Sequence, residues 1–114
     1  MKDETITENT KHSYTWGELE TGIRDWAYAR NLLHQENAQG QMLKVMEEVG
    51  ELSSAIAKQK HMGEVKDAVG DVLVTIIILA NQLGVRPIDC LRLAYDEIKD
   101  RGGKTVNGVF IKND

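Results

Sequence analysis

From Trp16 onward, apolar residues recur at three- and four-residue steps; before it they do not. Residues 1–13 are polar with one isolated apolar position, Ile6, and are expected to form a flexible leader ahead of a single domain over 14–114. Leu19, Ile23, Trp26 and Ala27 share helical spacing, with Thr15 placed as N-cap and Glu18 three residues on, so the first helix is predicted over 16–33. Residues 34–40 break the rhythm and read as a loop. The second helix, about 41–59, carries Met42, Val45, Met46, Val49, Leu52 and Ile56 as an apolar stripe, with an acidic opposite side.

After a break at His61, Met62 and Gly63, the third helix is predicted from about Glu64, with Gly84 taking the left-handed position past its end. Its second half, Val72 to Ile78, is β-branched enough for a buried strand. Helix is preferred, because no turn signal separates this run from the helical pattern before it. A helix that is apolar all round must be covered all round, and one small bundle covers it only in part, so a homo-oligomer, dimer or tetramer, is expected. Pro87 suits the first position of a fourth helix running to about residue 100, with Ile88, Leu91, Leu93, Ala94, Tyr95 and Ile98 as its apolar positions. Asn107-Gly108 between two apolar segments predicts a two-residue hairpin. The expected fold is all-α, a four-helix bundle-like domain with a short C-terminal β-hairpin. Trp26, Tyr95 and Phe110 are expected to pack in it, and Cys90 to be a small buried apolar residue.

Composition narrows the function. At 114 residues there is room for one core, and 41% hydrophobic with 28% charged residues is the balance of an ordinary soluble protein. Acids outnumber bases 18 to 14, the wrong sign for tracking a long nucleic acid. The single cysteine excludes an internal disulfide and no zinc-type spacing exists, which suits a reducing, cytoplasmic compartment. No secretory signal opens the chain, and the run from Val72 to Ala80 is too short to span a bilayer.

The chemistry lies in two acidic groups: Glu47, Glu48 and Glu51 on the second helix, and Glu64, Asp67 and Asp71 on the third. A lone Glu-Glu-x-x-Glu is ordinarily a solvated helix face. Here a second acidic stripe runs straight into the most apolar segment of the chain. Two facing helices then offer four to six like charges to one cavity, which is costly without cations, and hard oxygen donors suit Mg²⁺ or Mn²⁺. A di-iron bundle would need Glu-x-x-His pairs, and His12, His34 and His61 are not so placed.

The pattern Gln41-x-x-Lys44-x-x-Glu47-Glu48-x-x-Glu51, followed by an acidic helix ending Gly70-Asp71-Val72-Leu73, resembles the MazG-like nucleotide pyrophosphohydrolases of the all-alpha NTP pyrophosphatase superfamily. The likeness runs from about Trp26 to Lys112 and includes the Arg101-Gly102-Gly103-Lys104 segment and Asn-Gly tail of short phage-type members. It implies Mg²⁺-dependent hydrolysis of a nucleoside or deoxynucleoside triphosphate to the monophosphate and pyrophosphate. The family's second motif, E-x-x-D, fits in two registers: Glu64 with Asp67, or an apolar-flanked Asp71 whose expected partner falls on Ala68, with Asp67 as nearest substitute. The resemblance therefore carries metal binding to Glu48, Glu51, Asp67 and Asp71, with Glu47 and Glu64 as outer or alternative ligands and Glu47 or Glu48 orienting the attacking water. Lys44, Lys99, Arg101 and Lys104 are candidates for holding phosphates, each equally readable as a surface charge. Asp96 stands where relatives often have Asn and remains a candidate sugar or metal contact. Trp26 is a candidate for stacking on the base. Two alternatives remain open: a dUTP- or dCTP-selective pyrophosphatase, and a non-catalytic module of the same fold that binds a nucleotide or a protein.

Overall fold

A computed structural model describes residues 13–113. The flexible leader expected over 1–13 lies, except for Ser13, outside the described residues. Four helices follow in order: α1 Trp16–Ala29, α2 Ala38–Ala57, α3 Met62–Gln82 and α4 Pro87–Ile98. A single 3₁₀ turn, Gln35–Asn37, leads into α2, and the chain closes with strands β1 Gly103–Val106 and β2 Val109–Lys112. The all-α class with a terminal hairpin is as the hydrophobic pattern predicts.

Local chemistry sets the helix boundaries. Thr15 and Glu18 close a capping box at the start of α1: the Thr15 hydroxyl accepts from the Glu18 N–H at 3.1 Å, and the Glu18 carboxylate accepts from the Thr15 N–H at 2.8 Å. The helix then stops four residues short of the predicted end. Asn31 turns left-handed with φ of 60°, and the Leu32 N–H returns to the Ala27 carbonyl at 3.0 Å. Gln59 ends α2 in the same way with φ of 53°, and Gly84 ends α3 with φ of 79°, the position predicted for it. At the other end of α2, the expected loop over 34–40 is a correction. Its first residues form the 3₁₀ turn, and Ala38, Gln39 and Gly40 are already helical. The break before α3 is tighter than expected too, since His61 is its N-cap and accepts from the Glu64 N–H at 3.4 Å. The β-branched run in α3 is helical throughout, and Pro87 occupies the first turn of α4. Asn107 and Gly108, with φ of 52° and 79°, form the two-residue turn between β1 and β2, pairing Val106 with Val109 and Thr105 with Phe110.

Helix α3 is the hub, packed along α2 and touched by α1 and α4. The core between them is small: Ala27, Val45, Ala55, Ile77, Ile78 and Ala80. On α2 the stripe facing this core is Val45, Glu48, Leu52 and Ala55, whereas the predicted stripe is largely outside, with Met42, Met46, Val49 and Ile56 all exposed. The expectation that the acids occupy the side of α2 away from the core is therefore corrected, because Glu48 faces in. On the far side of α3, Val69, Leu73 and Ile76 are also exposed.

Three packing expectations fail within the single chain. Trp26 is about half exposed, Tyr95 is exposed on a helix that packs mainly on α3, and Phe110 packs over Gly103 within the hairpin while remaining exposed. Cys90 is exposed as well, beside an apolar groove formed with Trp16, Leu73, Ile76, Pro87 and Leu91. Tyr95, Cys90 and Phe110 share one cause: α4 and the hairpin stand against little else. Glu20 anchors the start of α4. Its buried carboxylate accepts the Ile88 N–H at 2.8 Å and lies 3.4 Å from the Arg86 guanidinium.

Candidate active site

Helical geometry brings the acids of α2 and α3 to a common wall. On α3, Glu64, Asp67 and Asp71 follow one another at three- and four-residue steps and, with Ala68, line a cavity of about 290 Å³. Glu51, Ser54 and Ala55 of α2 and Lys60 of the connecting turn form its other side. Both registers of the second acidic motif thus face the same space.

Asp71 also belongs to a second cavity, of about 340 Å³, whose lining includes Trp26, Gln41, Lys44, Glu48, Val74, Thr75 and Ile78. One wall residue joins an acidic chamber to a chamber lined by both apolar and charged side chains. Along α3 the order is Asp67, Asp71, Thr75, Ile78, so about 6 Å of helix rise separates Asp71 from Thr75.

The carboxylates differ in what already holds them. Glu64 is engaged by His61 at 3.1 Å and Lys60 at 3.4 Å. Glu47 accepts from the Lys44 ammonium at 2.7 Å, and Glu48, only 9% exposed, lies 3.5 Å from the same ammonium. Lys44 is held above the ordinary lysine value, first by its hydrogen bond to Glu47 and then by the charges of both glutamates, and stays a cation. Glu51, Asp67 and Asp71 have no hydrogen bond or ion pair among the described residues. Oxygen atoms of Glu47, Glu48 and Glu51 lie within 4.8 Å of one another, an arrangement able to hold a cation. The unpaired acids of α3 face Glu51 across the acidic chamber. These are hard oxygen donors with uncompensated charge, and they fit a Mg²⁺-type ion.

The structure therefore brings Trp26, Lys44, Glu48, Glu51, Glu64, Asp67 and Asp71 to one double cavity, with Glu47 beside it through Lys44. It does not bring Asp96, Lys99, Arg101 or Lys104 there. Lys99 pairs with Asp96 at 3.4 Å and Arg101 with Glu97 at 3.4 Å, at the far end of α4, and Lys104 starts the exposed hairpin. Four polar lining residues lay unassigned in the sequence: Ser54 and Lys60 in the acidic chamber, Gln41, seven residues before Glu48 on the same helix face, and Thr75, the one hydroxyl in the apolar run.

The model of the MazG nucleotide pyrophosphohydrolase domain matches residues 36–101, which include every acid of the double cavity. The chain belongs to the MazG family. A relative from Haemophilus phage HP1 (strain HP1c1), an uncharacterized 18.2 kDa protein in the rep-hol intergenic region, is 45% identical over 65 residues. That stretch is 57% of this MazG chain and 39% of the phage protein, so the chain spans well under half of that relative's length. No solved structure matches the chain. Trp26 precedes the matched MazG span, yet α1 places it over the same cavity.

Proposed function

We propose that this MazG chain hydrolyses nucleoside or deoxynucleoside triphosphates to the monophosphate and pyrophosphate, with Mg²⁺ or Mn²⁺ bound between α2 and α3. One observation carries the reading: three carboxylates without partners among the described residues, Glu51, Asp67 and Asp71, face a chamber that shares Asp71 with a tryptophan-lined one. Unpaired like charges gathered at one place are unfavourable unless cations meet them. A triphosphate is itself an anion and needs the same cations to approach such a wall.

In this arrangement Glu48, Glu51, Asp67 and Asp71 would hold the metal, which would supply charge neutralisation on the phosphate oxygens and acidify water. Glu47, outside the acidic chamber and tied to Lys44, would orient the attacking water and accept its proton, while the Lys44 cation faces the phosphates. Trp26, Leu32, Val74 and Ile78 offer the base an apolar slot with an aromatic ring, over which the Arg30 guanidinium lies 4.1 Å from the ring centroid.

The same reading includes a second copy of the chain. Met42, Met46, Val49 and Ile56 along α2, and Val69, Leu73 and Ile76 along α3, are apolar surface left open by one chain. The basic residues at the end of α4, remote from the site in one protomer, then have a route to it from a neighbour.

The experiment is pyrophosphate release from a panel of common and damaged triphosphates, with and without Mg²⁺. Mg²⁺-dependent release supports the enzyme. Nucleotide binding without release would support the non-catalytic module instead.

A further inference from the structure

The Gln41 side chain carries an inference about which bases the site accepts. It sits in the first turn of α2, half-buried, and its Nε2 donates to the Thr75 main-chain carbonyl at 3.1 Å, across 34 residues of sequence. A carbonyl oxygen only accepts, so the end of the amide that meets it must be the NH₂ group. That contact fixes the amide orientation by chemistry. What remains is the Oε1 atom, an acceptor with no protein donor among the described residues.

Gln41 lines the same cavity as Trp26, Leu32, Val74 and Ile78. Candidate donors nearby are already engaged. The Lys44 ammonium is held by Glu47 and Glu48, and the Thr75 hydroxyl donates to the Val72 carbonyl at 2.8 Å. A half-buried acceptor confronting an apolar slot disfavours any occupant that brings only acceptors to it, because both groups would lose their water without gaining a hydrogen bond. A phosphate oxygen therefore gains nothing from Oε1, and a flat ring that turns an N–H to it is favoured.

We infer that Gln41 reads the base. In a pose that turns the 4- or 6-position to it, its locked acceptor selects nucleotides whose ring carries an exocyclic amine, the 4-amino pyrimidines and 6-amino purines, over the oxo counterparts, which turn a carbonyl to it there and carry their ring N–H one atom further along the edge. This inference rests on the proposed nucleotide site. It adds the part of the substrate that the acids cannot distinguish.

The test compares pairs that keep the ring and exchange the amine for a carbonyl, dCTP with dUTP and dATP with dITP. Both pyrophosphate release and calorimetric binding are measured in Mg²⁺ on the full chain. The amino member of each pair is expected to be favoured on the order of tenfold, the worth of about one hydrogen bond plus the avoided clash of acceptors. Gln41→Met keeps the length of the side chain and removes the acceptor, so it is expected to bring each ratio close to one by weakening the amino member alone. A tie between helices with no part in recognition would lower both members equally, and that result overturns the inference, as does equal or reversed preference in the unaltered chain. Preferential binding without release of pyrophosphate would leave the role of Gln41 standing and sink the hydrolase reading. Absence of binding to all four would sink both.

Discussion

Glu48 and Asp71 face the same cavity from different helices in opposite states: Glu48 is 9% exposed beside Lys44, and Asp71 is exposed with no hydrogen bond or ion pair among the described residues. In the proposed site the first is already held by the protein, and the second is left for a cation. Asp71→Asn should therefore abolish pyrophosphate release, whereas Glu64→Gln, at a carboxylate already engaged by His61 and Lys60, should keep a substantial fraction of it. The reverse order in a turnover assay would assign the second motif to Glu64 and Asp67.

Glu51→Gln should lower turnover roughly 100-fold or more without unfolding the chain, since a ligand is weakened while repulsion within the α2 group is relieved. Circular dichroism and the rate decide it together. Near-normal activity with Mg²⁺ would exclude the proposed metal site.

Adding Mg²⁺ to metal-free protein should raise the thermal midpoint, because an ion bound only by the folded chain stabilises it by about 2.7 kcal/mol at a hundred times its dissociation constant. Chelator should reverse the rise, and Glu51→Gln should blunt it. A midpoint indifferent to Mg²⁺ in scanning calorimetry counts against the site.

The open stripes on α2 and α3 predict a dimer or larger assembly by light scattering. Met46→Glu, in the middle of the α2 stripe, should shift the mass toward a single chain and lower activity as concentration falls. A monodisperse, fully active monomer of the unaltered chain would mean that these surfaces need no cover.

Glu20→Ala should destabilise the fold by about 1–3 kcal/mol, the penalty for leaving the buried Ile88 N–H contact unmade, while Glu20→Gln, which keeps an acceptor, should cost less. Urea denaturation of both variants measures the difference.

How far the sequence could be read depended on what periodicity encodes. The helix starts marked by Thr15 and Pro87, the left-handed end at Gly84 and the Asn107-Gly108 turn are local chemistry, and each stands where the residues put it. The start of α2 was less legible, because Gly40 argues against helix on propensity and the preceding 3₁₀ turn leaves no periodic mark. The inward face of α2 misled for a different reason. An apolar stripe says that a surface will be covered, not by what, and Met42, Met46, Val49 and Ile56 outweigh the stripe that faces the chain's own core, which includes a glutamate. The acids of the site were readable from spacing and resemblance. Gln41 was visible in the motif without a role, since its task depends on the Thr75 carbonyl, which no side-chain pattern records.

Because Asp71 is a wall of both chambers, a cation in one and a nucleotide in the other would share a charged neighbour. Whatever factor a bound cation contributes to nucleotide affinity, the nucleotide must return to cation affinity, as linkage requires. Titrations in either order must therefore close the same cycle. A substitution at Asp71 will show itself as a change in that shared factor, as well as in either affinity alone.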